Sequence, residues 1–251
     1  MLSYRSVFLY GALALLIAGC SQEKPSQPAE EPVVQGETDY GDEEGLEMLA
    51  KSDGIARFEV TFENLTPATG EGSSQPFSPP VFAVHTGNLR LWKLGHRASD
   101  ELRQIAEDAV NGPMMAKLAS SGEVYSVSQG TGVIFPGASE TFVVEGEGQF
   151  HRFSLVSMLV NTNDGFTGVT RVFLPVRGKR VFYLKANDAG TEKNTELKDH
   201  IPGPCCGSHL VRVPTDDKVR RHKGIKGIGD LDPAIYGWDE PVAKLTIRRV
   251  R

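Results

Sequence analysis

"RFEVTFE", residues 57 to 63, alternates apolar with polar side chains at a period of two. Phe58, Val60 and Phe62 fall on one side of an extended chain, and charged or hydroxyl-bearing side chains fall on the other. Because successive side chains of a β-strand point to opposite sides, this pattern predicts a strand with one face in a core and one face in solvent. The stretch therefore favours an antiparallel sheet, in which such half-buried strands are common.

Similar short apolar runs recur along the chain, separated by Gly, Pro, Asn and Asp. They lie at 81–85, 123–129, 140–146, 150–160, 167–174, 179–184, 208–213 and 241–250. Strands at this spacing, without alternating helices, predict an all-β fold, an antiparallel β-sandwich or barrel of about eight strands, rather than a parallel α/β fold.

One segment departs from the β pattern. In "ASDELRQIAEDAV", residues 98 to 110, Ser99 is suited to cap a helix, acidic side chains occupy the first turn, and Leu102 and Ile105 share one face. This predicts one short amphipathic helix near 99–110, ended by the Asn111-Gly112-Pro113 sequence.

The N-terminal residues are of a different kind. Arg5 precedes an apolar run over 7–19, which is too short to span a bilayer and reads as a signal peptide over 1–19. Ile17-Ala18-Gly19-Cys20 resembles the bacterial lipobox, in which the cysteine becomes acylated. Ser21 after it resembles the sorting signal for the outer membrane. We therefore expect a lipid anchor in the bacterial outer membrane at Cys20, with the periplasmic or surface side left open; a plain secretory signal is the alternative.

Residues 20–55 are rich in Glu, Asp, Pro and Gln and contain few large apolar side chains. Such a segment buries too little surface to offset its chain entropy, which predicts a disordered acidic tether. Much of the formal net charge of −5 comes from it, so the charge indicates neither acidic substrates nor a nucleic-acid partner. The predicted sandwich domain then covers 56–251.

Four segments of that domain together resemble the spondin N-terminal domain family, which includes F-spondin and mindin. The resemblance runs from about Arg57 to Arg251 and implies an antiparallel β-sandwich similar to calcium-dependent membrane-targeting modules, with a calcium ion at one edge. The segments are 77–108 with Ser78-Pro79, His85, Trp92, Gly95 and Ala98-Ser99; Ser157-Met158 with the Asp164-Gly165-Phe166-Thr167-Gly168 turn; "NDAGTE" at 187–192; and the closing run 241–250.

The resemblance implies three calcium ligands, Asp164, Asp188 and Glu192. Calcium takes several oxygen ligands, so acids from two loops suit it. The animal relatives carry Trp where this chain has Gly165, and Asp where it has Glu192. Without the resemblance, Asp164 in "NTNDG" is an ordinary turn residue. No candidate nucleophile lies beside these acids, so we do not expect an enzyme.

"DHIPGPCCGSH", residues 199 to 209, carries a competing signal. His200, Cys205, Cys206 and His209 could be zinc or copper ligands, although adjacent cysteines lack the usual spacer between two thiolate ligands. In an oxidising compartment, Cys205 and Cys206 could instead form a vicinal disulfide or remain free or pair between molecules. All three interpretations stay open at this point.

"KVRRHKGIKG", residues 218 to 227, is a basic run. It is typical of a solvated loop, and contact with anionic lipid, lipopolysaccharide or glycan is the alternative. Taken together, the sequence favours a non-enzymatic envelope protein with a calcium-binding sandwich that serves adhesion or recognition of an unknown protein or glycan ligand. The alternatives are a metal-handling or thiol-based envelope protein and a purely structural spacer.

Overall fold

A computed structural model describes residues 34–35, 54–69, 74–209 and 211–250. The predicted signal peptide over 1–19 and Cys20 lie outside these residues, as does most of the tether predicted over 20–55. Within the described part of the chain, no helix is both long and apolar enough to cross a membrane.

The described residues form two main β-sheets, one two-stranded hairpin and three helices, numbered here along the chain. The strands are β1 Val34–Gln35, β2 Ala56–Asn64, β3 Val81–His85, β4 Val124–Gln129, β5 Ser139–Gly146, β6 Arg152–Met158, β7 Gly165–Phe173, β8 Lys179–Leu184, β9 Asn187–Asp188, β10 His200–Ile201, β11 Ser208–His209, β12 Arg220–Arg221 and β13 Ala243–Arg249. The helices are α1 Asp100–Asp108, α2 Gly112–Ala119 and α3 Pro233–Tyr236.

The first sheet has the strand order β1-β8-β13-β2-β5. β1 joins its edge in parallel, and the other pairs are antiparallel. In β2, Phe58, Val60 and Phe62 are fully buried and the residues between them are more exposed, as the period of two predicts. The sheet therefore turns one face to a core and the other to solvent.

The second sheet has the order β12-β9-β7-β6-β3-β4 and is covered on both faces. Every residue of β3 and β6 is buried, so these strands show no alternation of exposure. One face meets the first sheet in the main core, where Phe82, Phe153 and Leu155 pack with Phe58 and Phe62. The result is a two-sheet sandwich with a third, helical layer.

Helices α1 and α2 form that third layer. Leu102, Ile105 and Met114 pack with Val156 and Phe166 of the second sheet in a separate apolar cluster. Ser99 caps α1 through a hydrogen bond from the backbone N–H of Leu102 at 3.3 Å. This layer places the C-terminal end of α1 beside the loops described in the next subsection.

The all-β sandwich agrees with the sequence analysis. Helix α3 and the two-residue strands β1, β9, β10 and β12 were not predicted, β1 lies within the segment predicted as a tether, and two further differences have a physical reason. Helix α2 was not predicted: Pro113 lies in its first turn, where a missing N–H costs nothing, so the Gly-Pro pair that ends one helix also begins the next. The strand predicted over 208–213 is wrong beyond His209, because residues 211–213 join no strand and Val211 is 45% exposed.

Candidate metal centre

Asp164 closes the turn between β6 and β7, and its side chain is fully buried. Its Oδ2 accepts hydrogen bonds from the backbone N–H groups of Thr191 at 2.8 Å and Glu192 at 3.0 Å, and from the Thr191 hydroxyl at 3.3 Å. Its Oδ1 is buried without a hydrogen-bond partner in the described part of the chain. One oxygen is thus held in place while the other is unsatisfied.

The turn that presents Asp164 is shaped by its neighbours. The Thr162 hydroxyl donates to the Leu159 carbonyl at 2.6 Å and accepts from the Gly165 N–H at 2.9 Å. A Cβ on Gly165 would lie 2.4 Å from the Thr162 hydroxyl oxygen. In this chain Thr162 therefore leaves no room for a side chain at 165.

Asp188 lies in β9, directly opposite Gly165 of β7 in the ladder. Its Oδ1 accepts the N–H of Gly190 at 2.8 Å, within a bend where Gly190 has φ of +72°. Its Oδ2 accepts from Asn194 Nδ2 at 2.6 Å and pairs with Arg220 Nη2 at 3.1 Å. Strand pairing thus brings the second predicted ligand beside the first.

Glu192 follows in the same loop as Asp188 and is 4% exposed. Its Oε1 lies 3.4 Å from Arg212 Nη1, and the same guanidinium pairs with Glu107 and Asp108 at the end of α1. Burial raises the pKa of Glu192 to about 7, and the charge of Glu107 adds to that rise while Arg212 opposes it. Glu192, the third predicted ligand, therefore shares Arg212 with Glu107 and Asp108.

The electrostatics at Asp164 favour an added positive charge. Burial raises the pKa of Asp164 to about 7, with the charge of Asp188 as the second cause, although the three donors on Oδ2 lower it. A buried carboxylate beside a second one is costly unless a proton or a cation neutralises it. Asp164 and Asp188 together form such a pair.

The oxygen atoms of these residues are of the type that calcium prefers, but their positions meet only part of what a calcium site requires. Calcium prefers carboxylate oxygens, and Asp164 Oδ1 is a buried oxygen without a partner. Among the described residues, however, no three His, Cys, Asp or Glu side chains are grouped closely enough to hold a metal ion. Asp164 would hold the ion through its unpartnered Oδ1, whereas Asp188 would have to share its carboxylate with Arg220 and Glu192 would have to exchange Arg212 for the ion.

Other motif residues of the resemblance lie in the packed interior, and His85 is opposite Arg152, at the end of β6 far from the Asp164 turn. The Trp92 ring meets Phe166 edge to face, with centroids 5.2 Å apart and planes at 80°. A Cβ on Gly168 would lie 3.0 Å from the same indole. His85 is fully buried, with its ring nitrogens 2.6 Å from the Thr86 carbonyl oxygen and 2.7 Å from the Ser154 hydroxyl. These motif residues contribute to packing rather than to a ligand set.

The cysteine segment packs against the turn that carries Asp164 but adds no side chain to the three acids: the N–H of Cys205 donates to Asn161 Oδ1 at 3.2 Å. Cys205 and Cys206 are joined in a disulfide, so neither sulfur is available as a thiolate ligand. The Nδ1 of His200 lies 3.0 Å from the Thr195 hydroxyl, and the side chain of His209 lies outside what the structure describes. In this form of the protein, the zinc or copper set suggested by the sequence lacks two of its four ligands.

The sequence did not identify the arginines that form ion pairs with two of the three acids, Asp188 and Glu192. Arg220 was noted only as part of a basic run, and Arg212 only as part of a predicted strand. Glu107 is 4% exposed although it is charged, and nothing in the helical pattern marks it as buried. Contacts such as that of Arg212 with Glu107 join distant parts of the chain, so periodicity carries no signal for them.

Comparison with known proteins supplies the family. The model of the spondin N-terminal domain (Spondin_N) matches residues 60–200, more than half of the chain. This range begins within β2, includes the three acids and stops before the closing strand β13. No protein with a curated description matches the chain. On the evidence of that match, the chain belongs to the spondin N-terminal domain family.

Proposed function

We propose that this protein is a non-enzymatic, lipid-anchored recognition module of the bacterial outer membrane whose sandwich binds calcium through Asp164, Asp188 and Glu192. Family membership indicates an extracellular, recognition-type module. The lipobox-like sequence ending at Cys20 supports the anchor, and adhesion to a protein or glycan is the role that such an anchored module suits best. The unpartnered, buried Oδ1 of Asp164 is the observation that carries the calcium proposal.

Calcium would act by stiffening the loops rather than by chemistry. Asp164 holds the backbone of Thr191 and Glu192, and Asp188 holds that of Gly190. An ion that neutralises both carboxylates removes their repulsion and ties the turn after β6 to the loop after β9. The loops at this edge would then present a more rigid surface to a ligand.

Calcium is expected to raise the melting temperature of the full chain. Sites in extracellular modules have Kd of about 10⁻⁴ to 10⁻³ M. At 100 times Kd, binding to the folded state alone adds about 2.7 kcal/mol to the free energy of unfolding. For a domain of this size that corresponds to roughly 5 to 10 °C. Thermal unfolding followed by circular dichroism, with chelator and then with calcium, measures the shift.

The matched control for this measurement is Asp239→Asn, which makes the same chemical change at an exposed position away from the site. Asp164→Asn is expected to lose the calcium response, and Asp239→Asn is expected to keep it. An unchanged wild-type melting temperature at a calcium concentration well above that range of Kd would overturn the calcium proposal. An equal response in both variants would show that calcium binds elsewhere.

A further inference from the structure

A pocket of about 440 Å³ lies beside the candidate metal centre, between the loop that follows β9 and the segment around β12. We call it the basic pocket. Its inner wall includes Arg220, His222 and four acids, Asp188, Glu192, Glu196 and Asp217; Glu192 pairs with Arg212, and Asp217 pairs with Arg220. Its outer rim includes three lysines and an isoleucine: Lys193, Lys223, Lys226 and Ile228.

The carboxylates of the inner wall already have hydrogen-bond or ion-pair partners. Glu196 is 3% exposed, and its two carboxylate oxygens accept the backbone N–H groups of Lys226 at 2.7 Å and Ile228 at 2.9 Å. Asp188 is 2% exposed and pairs with Arg220. A molecule entering from solvent therefore meets the lysines first, and the carboxylates behind them have partners of their own.

The three lysines of the rim are available for a ligand. Lys193, Lys223 and Lys226 are exposed, and within the described part of the chain their ammonium groups form no ion pair. Glu196 holds the backbone at Lys226 and Ile228, so this part of the rim is fixed before a ligand arrives. Three unpaired cations at one opening attract a multiply charged anion.

Ile228 adds an apolar contact at the same rim. It is 69% exposed, more than any other exposed large apolar side chain of the described chain, and it follows Lys226 by two residues. An exposed apolar side chain beside lysines matches the boundary between phosphate headgroups and acyl chains, where both find favourable partners. A free phosphate would use the lysines but would leave Ile228 without a partner.

We propose that the basic pocket binds the phosphate of an anionic lipid headgroup, with Lys193, Lys223 and Lys226 on the phosphate and Ile228 at the acyl boundary. The head of the molecule then has a membrane contact of its own, distinct from the anchor proposed at Cys20. None of these four residues is a proposed calcium ligand, but Asp188 and Glu192 line the same pocket, so the test is run in chelator to separate lipid docking from calcium binding.

The test uses the full chain with Ile228→Cys labelled by an environment-sensitive fluorophore, reconstituted in chelator into phosphatidylcholine vesicles with and without phosphatidylglycerol. A blue shift and protection from iodide quenching are expected only with phosphatidylglycerol. Each lysine near an anionic surface contributes about 1 kcal/mol, so the triple change Lys193→Gln, Lys223→Gln and Lys226→Gln should weaken the docking equilibrium on the order of 100-fold and abolish the signal. Every sample has the same anchor, so differences in fluorescence between samples do not come from it.

The matched control changes three other exposed lysines, Lys93→Gln, Lys117→Gln and Lys179→Gln, none of which lines the basic pocket. It removes the same charge and is expected to keep the signal. Equal emission in both vesicle types, or equal loss in both triple variants, would overturn the proposal. A shift produced by inorganic phosphate without vesicles would overturn the lipid as the source of the phosphate.

Discussion

The Gly168→Ala variant is expected to lose about 4 kcal/mol or more of stability, a large share of the total for a domain of this size. Gly168 has φ of +153°, a conformation that side chains of L residues rarely adopt. A Cβ there would lie 2.0 Å from the Leu155 carbonyl oxygen and 3.0 Å from the Trp92 ring. Backbone strain and overpacking each cost about 1 to 3 kcal/mol, and both act at this position.

Urea unfolding with near-ultraviolet circular dichroism measures this loss, since Trp92 packs against the altered strand. Gly132→Ala is the control, because a Cβ there meets nothing within 4 Å and the backbone is not in the positive-φ region. Its stability should stay within about 1 kcal/mol of wild type. If Gly168→Ala also stays within that margin, the close approach of β7 to β6 and Trp92 is not as described.

The Asp164→Asn variant is expected to be more stable than wild type in chelator at pH 8. Folding raises the pKa of Asp164 from 3.8 to about 7, so between these values the unfolded chain is ionised more fully than the folded one. The free energy of unfolding of wild type therefore falls as pH rises from about 4 to about 7, by at most about 4 kcal/mol. Asn keeps an oxygen for the Thr191 and Glu192 donors but carries no charge.

Melting temperatures at pH 4 and pH 8 in chelator measure this effect. The two proteins should melt at similar temperatures at pH 4, where Asp164 is largely protonated in the folded state, and should diverge at pH 8. The exposed change Asp239→Asn should leave the pH profile as it is in wild type. A constant difference between wild type and Asp164→Asn at both pH values would contradict a raised pKa at Asp164.

With calcium at pH 8, wild type should become more stable than Asp164→Asn. Wild type gains stability from the ion, whereas Asp164→Asn cannot neutralise a cation at this position. A buried carboxylate that destabilises the empty site and stabilises the loaded one is consistent with retention for binding rather than for folding. Melting temperatures of wild type and Asp164→Asn, measured with chelator and with calcium, thus separate the effect of Asp164 on folding from its effect on calcium binding.

The sequence predicts most of the first sheet because that sheet follows a simple physical rule. Strands such as β2 have one face in a core and one in solvent, and their side chains alternate accordingly. Strand β6 is covered on both sides and is buried throughout, so its bounds could not be found from alternation. Helix α2 was missed because Gly112 and Pro113 were read only as the end of α1.

The candidate site is predictable in part, and for a different reason. Asp164, Asp188 and Glu192 could be singled out only through the family resemblance, since acids in loops are usually turn residues. The structure brings Asp188 beside the Asp164 turn through the pairing of Gly165 with Asp188, and Glu192 follows in the loop after β9. Arg212 forms an ion pair with Glu192, and Arg220 forms one with Asp188. Both arginines come from segments outside the matched family range, where no motif indicates a partner.

The position of β13 has a consequence for how the protein is made. β13 lies between β8 and β2 and is the only strand that joins them in the described sheet. It pairs residues near position 60 with residues near position 245. Synthesis proceeds from the N-terminus, so the first sheet cannot close until nearly all of these residues have been made. Long-range pairing of this kind also folds slowly. The export proposed above would therefore act on a chain whose first sheet is still open.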